Sequence, residues 1–235
     1  MSARFEELDF QQTEFGEISL RRRVEPSTGV DVFEVKLGED FLMSSLFTVA
    51  EEELSRLGLA AAAGDKVDVL VGGLGLGYTA VAALEDTRVA RLVVVDALAA
   101  VIDWHERGLL PVSAELTADA RTELVLADFF AMMREPAPEQ YDVFLIDIDH
   151  SPRHLLDSGH ADFYQPDGLR RLAGWLRPGG VFALWSDDPV DEAYLSDLRG
   201  VFATAVAHVV AFDNFLTGGT STNTVYVATL SGPNR

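Results

Sequence analysis

The chain contains no cysteine among its 235 residues. Disulfide bonds, iron–sulfur clusters, thiolate zinc sites and cysteine nucleophiles are therefore excluded. It also lacks an apolar run of the roughly eighteen residues that a membrane-spanning helix needs, and its first residues, MSARFEELDF, are acidic where a signal peptide would be basic. We expect a soluble, cytoplasmic protein with no membrane partner, whose chemistry depends on carboxylates, histidines, hydroxyl groups or a bound cofactor.

Basic residues are scarce, because 18 Lys and Arg stand against 38 Asp and Glu, giving a formal net charge of −20. Nucleic-acid binding depends on a basic surface, so this composition disfavours a nucleic-acid partner. A cationic small molecule would be attracted instead. Part of the negative charge can simply keep the protein soluble, so the position of individual acids is more informative than their total.

The order of β-rich and helix-like runs predicts an α/β protein. Residues 16–24 and 30–38 are β-rich and are separated by the turn-forming EPSTG, so we predict an N-terminal β-hairpin appendage within residues 1–46. Residues 47–64 read as a helix, after which apolar strands alternate with helices, as in a parallel sheet covered on both faces. The helix-like runs include residues 98–110 and 166–180, the second of which ends at Pro178 and two glycines. The predicted strands of this sheet are residues 67–72, 91–96, 122–127, 141–147 and 180–186.

The end of the chain departs from this alternation. Two β-rich runs, VAHVVAFDNF and NTVYVATL, are joined by a linker too short for a helical crossover, so they should pair as antiparallel strands. A mostly parallel sheet that ends in an antiparallel hairpin is the layout of the methyltransferase-type, Rossmann-like fold that binds nucleosides. We assign residues 47–235 to this domain.

A glycine-rich loop, GGLGLG, follows the first predicted strand of this domain. Read from Gly75, the loop fits the dinucleotide pattern G-x-G-x-x-A; read from Gly73, it fits G-x-G-x-G, which suits nucleosides without a pyrophosphate. In either case Gly73, Gly75 and Gly77 would let the backbone approach a ribose or an amino-acid tail closely.

Acidic residues follow nearly every predicted strand, at the sheet edge where ligands of open parallel sheets bind. A pyrophosphate would be repelled there, whereas a sulfonium or an amine would be attracted. We therefore favour an adenosyl sulfonium, such as S-adenosylmethionine, over NAD. The acids at this edge are Asp96, Asp128, Asp147, Asp149, Asp187 and Asp188.

Three of these acids have predicted roles. Asp96 lies about twenty residues beyond the loop, as expected of an acid that accepts hydrogen bonds from ribose hydroxyls. Asp128 is either an adenine contact or a helix N-cap. Asp147 follows an apolar strand near the point where strand order reverses, which suits a general base. In the polar segment that follows, His150 and His154 form an H-x-x-x-H pattern, but a proline-containing turn separates them and removes the firm spacing of a zinc helix, so we predict no metal.

The motifs resemble, in order along most of the chain, those of the spermidine synthases, or polyamine aminopropyltransferases. VLVGGLGLGYT is similar to the family's glycine motif, VVVDALAAVI to its second-strand motif, VLADFF to its adenine-contact motif, and YDVFLIDIDHSP to the strand that ends in its catalytic aspartate. The resemblance implies ribose binding by Asp96, adenine contacts by Asp128 and Phe129, and catalysis by Asp147.

The resemblance further implies that Asp149, His150 and Tyr164 lie near the acceptor substrate and that the protein is a homodimer. Two positions depart from the family pattern. Leu76 stands where the glycine motif carries an acid for the donor's terminal amine, and Asp149-His150-Ser151-Pro152 stands where a second aspartate precedes proline.

We therefore expect a spermidine synthase-like transferase. It would bind S-adenosylmethionine, decarboxylated S-adenosylmethionine or, as a product-like ligand, methylthioadenosine, and would transfer an alkyl group to a small, cationic amine. Two alternatives stay open at this point: an S-adenosylmethionine-dependent methyltransferase acting on a small molecule, and a nucleoside-binding protein without turnover.

Overall fold

The computed structural model describes residues 5–13 and 15–232, and its N-terminal part is a four-stranded antiparallel sheet. The predicted hairpin is present, but it is the middle of a larger sheet with one more strand on each side. The first strand has no regular alternation of apolar and polar residues, and the fourth is only five residues long, so neither has a clear sequence signal. The strands are β1 (Phe5–Thr13), β2 (Gly16–Val24), β3 (Asp31–Leu37) and β4 (Asp40–Ser44).

The second sheet has seven strands and confirms the predicted fold. Its strands are β5 (Val67–Gly72), β6 (Val89–Asp96), β7 (Thr122–Leu126), β8 (Tyr141–Ile146), β9 (Leu176–Ser186), β10 (Thr204–Asn214) and β11 (Gly219–Thr229). Their order across the sheet is β10-β11-β9-β8-β5-β6-β7. Strands β5 to β9 pair in parallel, whereas β11 pairs antiparallel with both β9 and β10, as predicted for the end of the chain.

Seven helices lie in the described residues, and the helix-like runs predicted at residues 47–64, 98–110 and 166–180 each contain one of them. The helices are α1 (Val49–Ala61), α2 (Tyr78–Leu84), α3 (Ala99–Glu106), α4 (Ser113–Ala118), α5 (Phe129–Arg134), α6 (Pro166–Ala173) and α7 (Glu192–Val201), with a 3₁₀ turn at Ser158–His160. Helices α4 and α5 have six residues each, too few to show a helical period. None of the described helices is long and apolar enough to cross a membrane.

The start of β9 was predicted incorrectly. The sequence around Pro178 suggested a helix that continues to the proline, but α6 ends at Ala173 and the strand begins at Leu176. Pairing with β8 shifts register within this segment, from Tyr141 opposite Leu176 to Val143 opposite Val181. A bulge of this kind accommodates a proline, because the residues in it are outside the hydrogen-bonded ladder.

The seven-stranded sheet is buried on both faces. Along β5, Val69 and Val71 pack into one apolar cluster with α1 and α2, while Leu70 packs into a second cluster with α6 and α7. Helix α1 lies close to the sheet at Gly58, where a Cβ atom would come within 2.6 Å of the Leu145 side chain. This alternation is what a parallel sheet with helices on both faces requires.

The small sheet is attached to the main domain by a buried contact with α3. The indole Nε1 of Trp104, which is fully buried, donates to Asp9 Oδ2 at 2.6 Å, and Arg107 Nη1 lies 3.1 Å from the same oxygen. Ile18 and Leu20 of β2 belong to the same apolar cluster as α1. The two parts therefore share a core, and the domain boundary after residue 46 stays a prediction.

We predict that Asp9→Ala destabilises the protein by about 1–3 kcal/mol at pH 7, because it leaves the buried Trp104 N–H without an acceptor. Burial raises the pKa of Asp9, but hydrogen bonds from Gln11, Trp104 and Arg107 outweigh it and lower the pKa. The ionised form is therefore favoured by folding, and the effect of the substitution should shrink as the pH falls through the folded-state pKa. Urea unfolding of wild type and variant at pH 7 and pH 3 measures the loss in free energy of unfolding. An equal loss at the two pH values would contradict the prediction.

Candidate functional site

The glycine loop lies at the point where strand order reverses, between β5 and β8. Gly73 has a φ of +94°, and a Cβ atom there would lie 2.1 Å from the carbonyl oxygen of Asp147. The amide of Asp147 in turn donates to Gly72 O at 2.8 Å. Only glycine fits this position, and the contact places the start of the loop directly beside the end of β8.

Asp96 lies against the same loop from the end of β6. Its Oδ2 accepts from the Leu74 amide at 2.9 Å and lies 3.4 Å from the Gly75 amide, and its Oδ1 accepts from the Leu98 amide at 2.8 Å. Burial raises the pKa of Asp96, and these amides partly offset the increase. The structure thus brings Asp96 to the glycine loop, and ribose binding by its remaining lone pairs stays a prediction.

Asp128 is the N-cap of α5, which was one of its two predicted roles. Its side chain accepts from the Ala131 amide at 3.0 Å. The next residue, Phe129, is buried, and its ring would be 3.1 Å from a Cβ atom at Gly72. Both residues follow β7 at the carboxyl end of the sheet, with Phe129 packed against Gly72, and their contact with an adenine stays a prediction.

Asp147 shares its surroundings with a second carboxylate that the sequence did not single out. Its Oδ2 accepts from the Thr79 hydroxyl at 2.8 Å, and the same hydroxyl lies 3.4 Å from the carbonyl oxygen of Glu51 in the first turn of α1. Burial raises the pKa of Glu51, and the charge of Asp147 raises it further; burial also raises the pKa of Asp147. Within residues 5–13 and 15–232, neither carboxylate has a basic partner.

Glu51 lines a cavity of about 370 Å³ between α1 and the β9–β11 end of the sheet. Asp187 lies in the same cavity and accepts from Asn223 Nδ2 at 2.7 Å. The indole N–H of Trp185, also in the lining, has no hydrogen-bond partner in the described part of the chain. The remaining lining residues are Phe47, Phe212, Asn214, Ser221 and Thr222. Carboxylates and aromatic rings together suit a small organic cation.

Two of the three predicted acceptor contacts are buried in a network of their own. Asp149 is 1 % exposed and accepts from His160 Nδ1 at 2.9 Å and from Tyr164 OH at 2.8 Å. Tyr164 is equally buried, and the Leu156 amide donates to Asp149 at 2.7 Å. Asp149 and Tyr164 therefore support the loop after β8, and their contact with an acceptor stays a prediction. His150, by contrast, is exposed.

The other histidine of this segment, His154, is paired with an acid. Its Nδ1 lies 2.8 Å from Asp188 Oδ2, and the Ser151 hydroxyl donates to the same oxygen at 2.6 Å. Because Ser151 donates to the acid, these residues do not have the arrangement of a nucleophilic triad. No group of three or more His, Asp or Glu side chains in the described residues is arranged to hold a metal.

Leu76 is part of the apolar core. It is 6 % exposed and packs in the same cluster as Leu74, α1 and α2. An acid placed at this position would therefore be buried among apolar side chains.

Comparison with known proteins gives matches at the level of structure. No protein-family model and no curated protein matches the sequence. A spermidine synthase from Thermotoga maritima superposes with a TM-score of 0.72 at 18% identity, covering 95% of this chain and 72% of that one. A spermidine synthase in complex with the transition-state analogue AdoDATO gives 0.71 at 18% identity, with the same coverage. A probable spermidine synthase from Corynebacterium glutamicum ATCC 13032 gives 0.63 at 16%, covering 94% and 79%.

The chain has the fold of the spermidine synthases. The predicted fold and the resemblance to that family are thereby confirmed as a likeness of structure.

We predict that Glu51→Gln stabilises the protein at pH 8 but not at pH 4. The raised pKa values mean that the folded state holds protons more tightly than the unfolded state, so wild-type stability falls as the pH rises from about 4 through the folded-state values. Removing one carboxyl group should raise the free energy of unfolding by on the order of 1 kcal/mol at pH 8. Urea unfolding across this range measures it, with the exposed Glu106→Gln as control. A pH-independent difference would contradict the coupling of the two carboxylates.

We predict that Leu76→Asp destabilises the protein by about 2 kcal/mol or more at pH 7, since the new carboxylate would be buried without a partner. Leu76→Met, which keeps the volume, should cost less than about 1.5 kcal/mol. Thermal unfolding of both variants tests this, and an aspartate variant as stable as wild type would mean that the side chain can turn toward solvent.

Proposed function

We propose that this protein is a transferase of the spermidine synthase type, which binds an adenosyl sulfonium and transfers its alkyl group to a small amine. The observation that carries the proposal is the position of Asp147. It lies at the end of β8 against the glycine loop and close to Glu51, which lines the cavity between α1 and the β9–β11 end of the sheet. A nucleoside on the loop and an amine in the cavity would thus meet at a carboxylate of raised pKa.

The donor in this proposal is S-adenosylmethionine or its decarboxylated form. The glycine loop and Asp96 would hold the nucleoside, with Asp128 and Phe129 near its base. The decarboxylated form is supported by the likeness to a spermidine synthase in complex with AdoDATO. The sulfonium charge would lie in a region of unneutralised carboxylates, which favours a cation over the phosphates of NAD.

Asp147 would act as the general base. An amine enters as an ammonium ion and must lose a proton before its nitrogen lone pair can attack. Asp147 accepts that proton; the nitrogen then bonds to the carbon next to sulfur, the carbon–sulfur bond breaks, and its electron pair stays on sulfur as a neutral thioether. The protein's main contribution is to hold the nitrogen in line with the breaking bond.

The acceptor would contact the exposed His150 and the cavity residues Glu51, Asp187 and Trp185. Asp149 and Tyr164, which the family resemblance placed at the acceptor, are assigned here to support of the loop, since both are buried. We further propose, on the resemblance alone, that the protein is a cytoplasmic homodimer.

Methyl transfer is the second candidate. The position of Leu76 in the core favours it, because the loop then offers no acid to the terminal ammonium of an aminopropyl donor. The two reactions release different nucleosides: aminopropyl transfer leaves methylthioadenosine, whereas methyl transfer leaves S-adenosylhomocysteine.

The test begins with thermal unfolding in the presence of S-adenosylmethionine, its decarboxylated form, methylthioadenosine and NAD. A ligand at about a hundred times its dissociation constant should add about 2.7 kcal/mol to the free energy of unfolding. The stabilising donor is then incubated with small diamines, and the released nucleoside identifies the group transferred. Stabilisation by NAD alone would refute the proposal, and binding without any nucleoside release would leave a nucleoside-binding protein.

Asp147→Asn should lower turnover by about 10²-fold or more while methylthioadenosine affinity changes little, since asparagine keeps the shape and the Thr79 hydrogen bond but cannot take a proton. Steady-state kinetics and calorimetry on the same preparations measure the two quantities, with Glu106→Gln as the matched control. Full turnover by the asparagine variant would place the base elsewhere.

A further inference from the structure

His105 is a fully buried histidine that contacts the glycine loop from the last turn of α3. Its Nε2 lies 3.0 Å from the carbonyl oxygen of Gly75. Its Nδ1 lies 3.3 Å from the hydroxyl oxygen of Ser113 at the start of α4. The ring therefore bridges the loop to the α3–α4 connection, at a place where no substrate can reach it.

The partners of His105 define which ring nitrogen carries the proton. The Gly75 carbonyl can only accept, so Nε2 must be the donor. Burial lowers the pKa of His105, which favours the neutral ring, and Nδ1 is then free to accept from the Ser113 hydroxyl. The Ser113 oxygen also accepts from the Leu110 amide at 3.2 Å. The hydrogen bonds thus all point the same way. The Leu110 amide donates to Ser113, the Ser113 hydroxyl donates to His105 Nδ1, and His105 Nε2 donates to the Gly75 carbonyl.

The ring also touches a second glycine of the loop. A Cβ atom at Gly77 would lie 2.7 Å from His105 Cε1 and 2.8 Å from the Val112 side chain. Gly77 has a φ of +91°, so it must be glycine for its backbone angles as well as for space. His105 therefore packs against one glycine of the loop and hydrogen-bonds to another.

Asp96 contacts backbone amides of the same segment. It accepts from the Leu74 amide and lies within hydrogen-bond distance of the Gly75 amide, whereas His105 takes the Gly75 carbonyl. The N–H and C=O of Gly75 are thus each held by a side chain from a different element, β6 and α3. A loop held in this way keeps its shape without a ligand, so binding does not have to order it.

We propose that His105 is a positioning residue that fixes the glycine loop in the shape that accepts the nucleoside. This rests on the proposed nucleoside site, although the effect on loop order can be measured without any ligand. His105 does not touch the ligand itself, and its contribution passes through the Gly75 carbonyl.

Two substitutions at this position separate the hydrogen bond from packing. His105→Gln keeps a side-chain N–H donor for the Gly75 carbonyl, whereas His105→Leu fills similar space without one. His208→Leu, on the edge strand β10, is the matched control for a histidine-to-leucine change away from the loop. Hydrogen exchange of the amides of residues 73–78, with those of β11 as internal reference, reports loop order in the free proteins.

We expect His105→Leu to raise exchange of the loop amides at least tenfold relative to β11, while His105→Gln and His208→Leu stay within about threefold of wild type. Methylthioadenosine affinity, measured by calorimetry, should follow the same order. Equal exchange in the leucine and glutamine variants would overturn the proposal, and so would a leucine variant that exchanges faster everywhere. If no variant, wild type included, binds methylthioadenosine, the nucleoside site is refuted, and the exchange data alone decide whether His105 orders the loop.

Discussion

The contact between Gly73 and the backbone of Asp147 is the constraint on which the site depends. A side chain at residue 73 would lie 2.1 Å from the Asp147 carbonyl, so the loop reaches the end of β8 only because residue 73 has none. Once the two backbones touch, the loop turns into α2, and Thr79 of that helix meets the Asp147 carboxylate at 2.8 Å. The same loop passes Asp96 on one side and His105 on the other. The order of the parallel strands thus determines which side chains meet.

The acids at the carboxyl end of the sheet divide into two groups. Most have a hydrogen-bond partner: Asp149 has Tyr164, Asp187 has Asn223, and Asp188 has Ser151. Glu51 and Asp147 differ in that burial raises the pKa of both and neither has a basic partner among the described residues, although Asp147 also accepts from the Thr79 hydroxyl. The net charge of −20 is therefore less informative than this pair, because it is the pair that a bound cation would neutralise.

The sequence predicted the backbone of the site better than its side chains. Apolar strands that end in acids predicted the sheet and placed Asp147, since strand direction alone brings those ends together. Glu51 was missed because it begins a run of three glutamates in a first helical turn, where acids usually face solvent. His105 lies in WHER, which shows no sign that a loop carbonyl from thirty residues earlier will meet it. The burial of Asp149 and Tyr164 was not foreseen, because sequence spacing does not reveal that a loop folds back on itself.

The unneutralised pair connects ligand binding to stability. Two half-buried carboxylates with raised pKa values destabilise the folded protein near neutral pH, a feature common at functional sites, where stability is given up for reactivity. A cation bound beside them would favour their ionised forms and lower both pKa values. By linkage, such binding must release protons in the pH range where the pair is partly protonated, and it must stabilise the fold most strongly where the empty site is least stable. The same carboxylates would therefore attract an ammonium ion, whose charge would shift them to the ionised form that a general base must have.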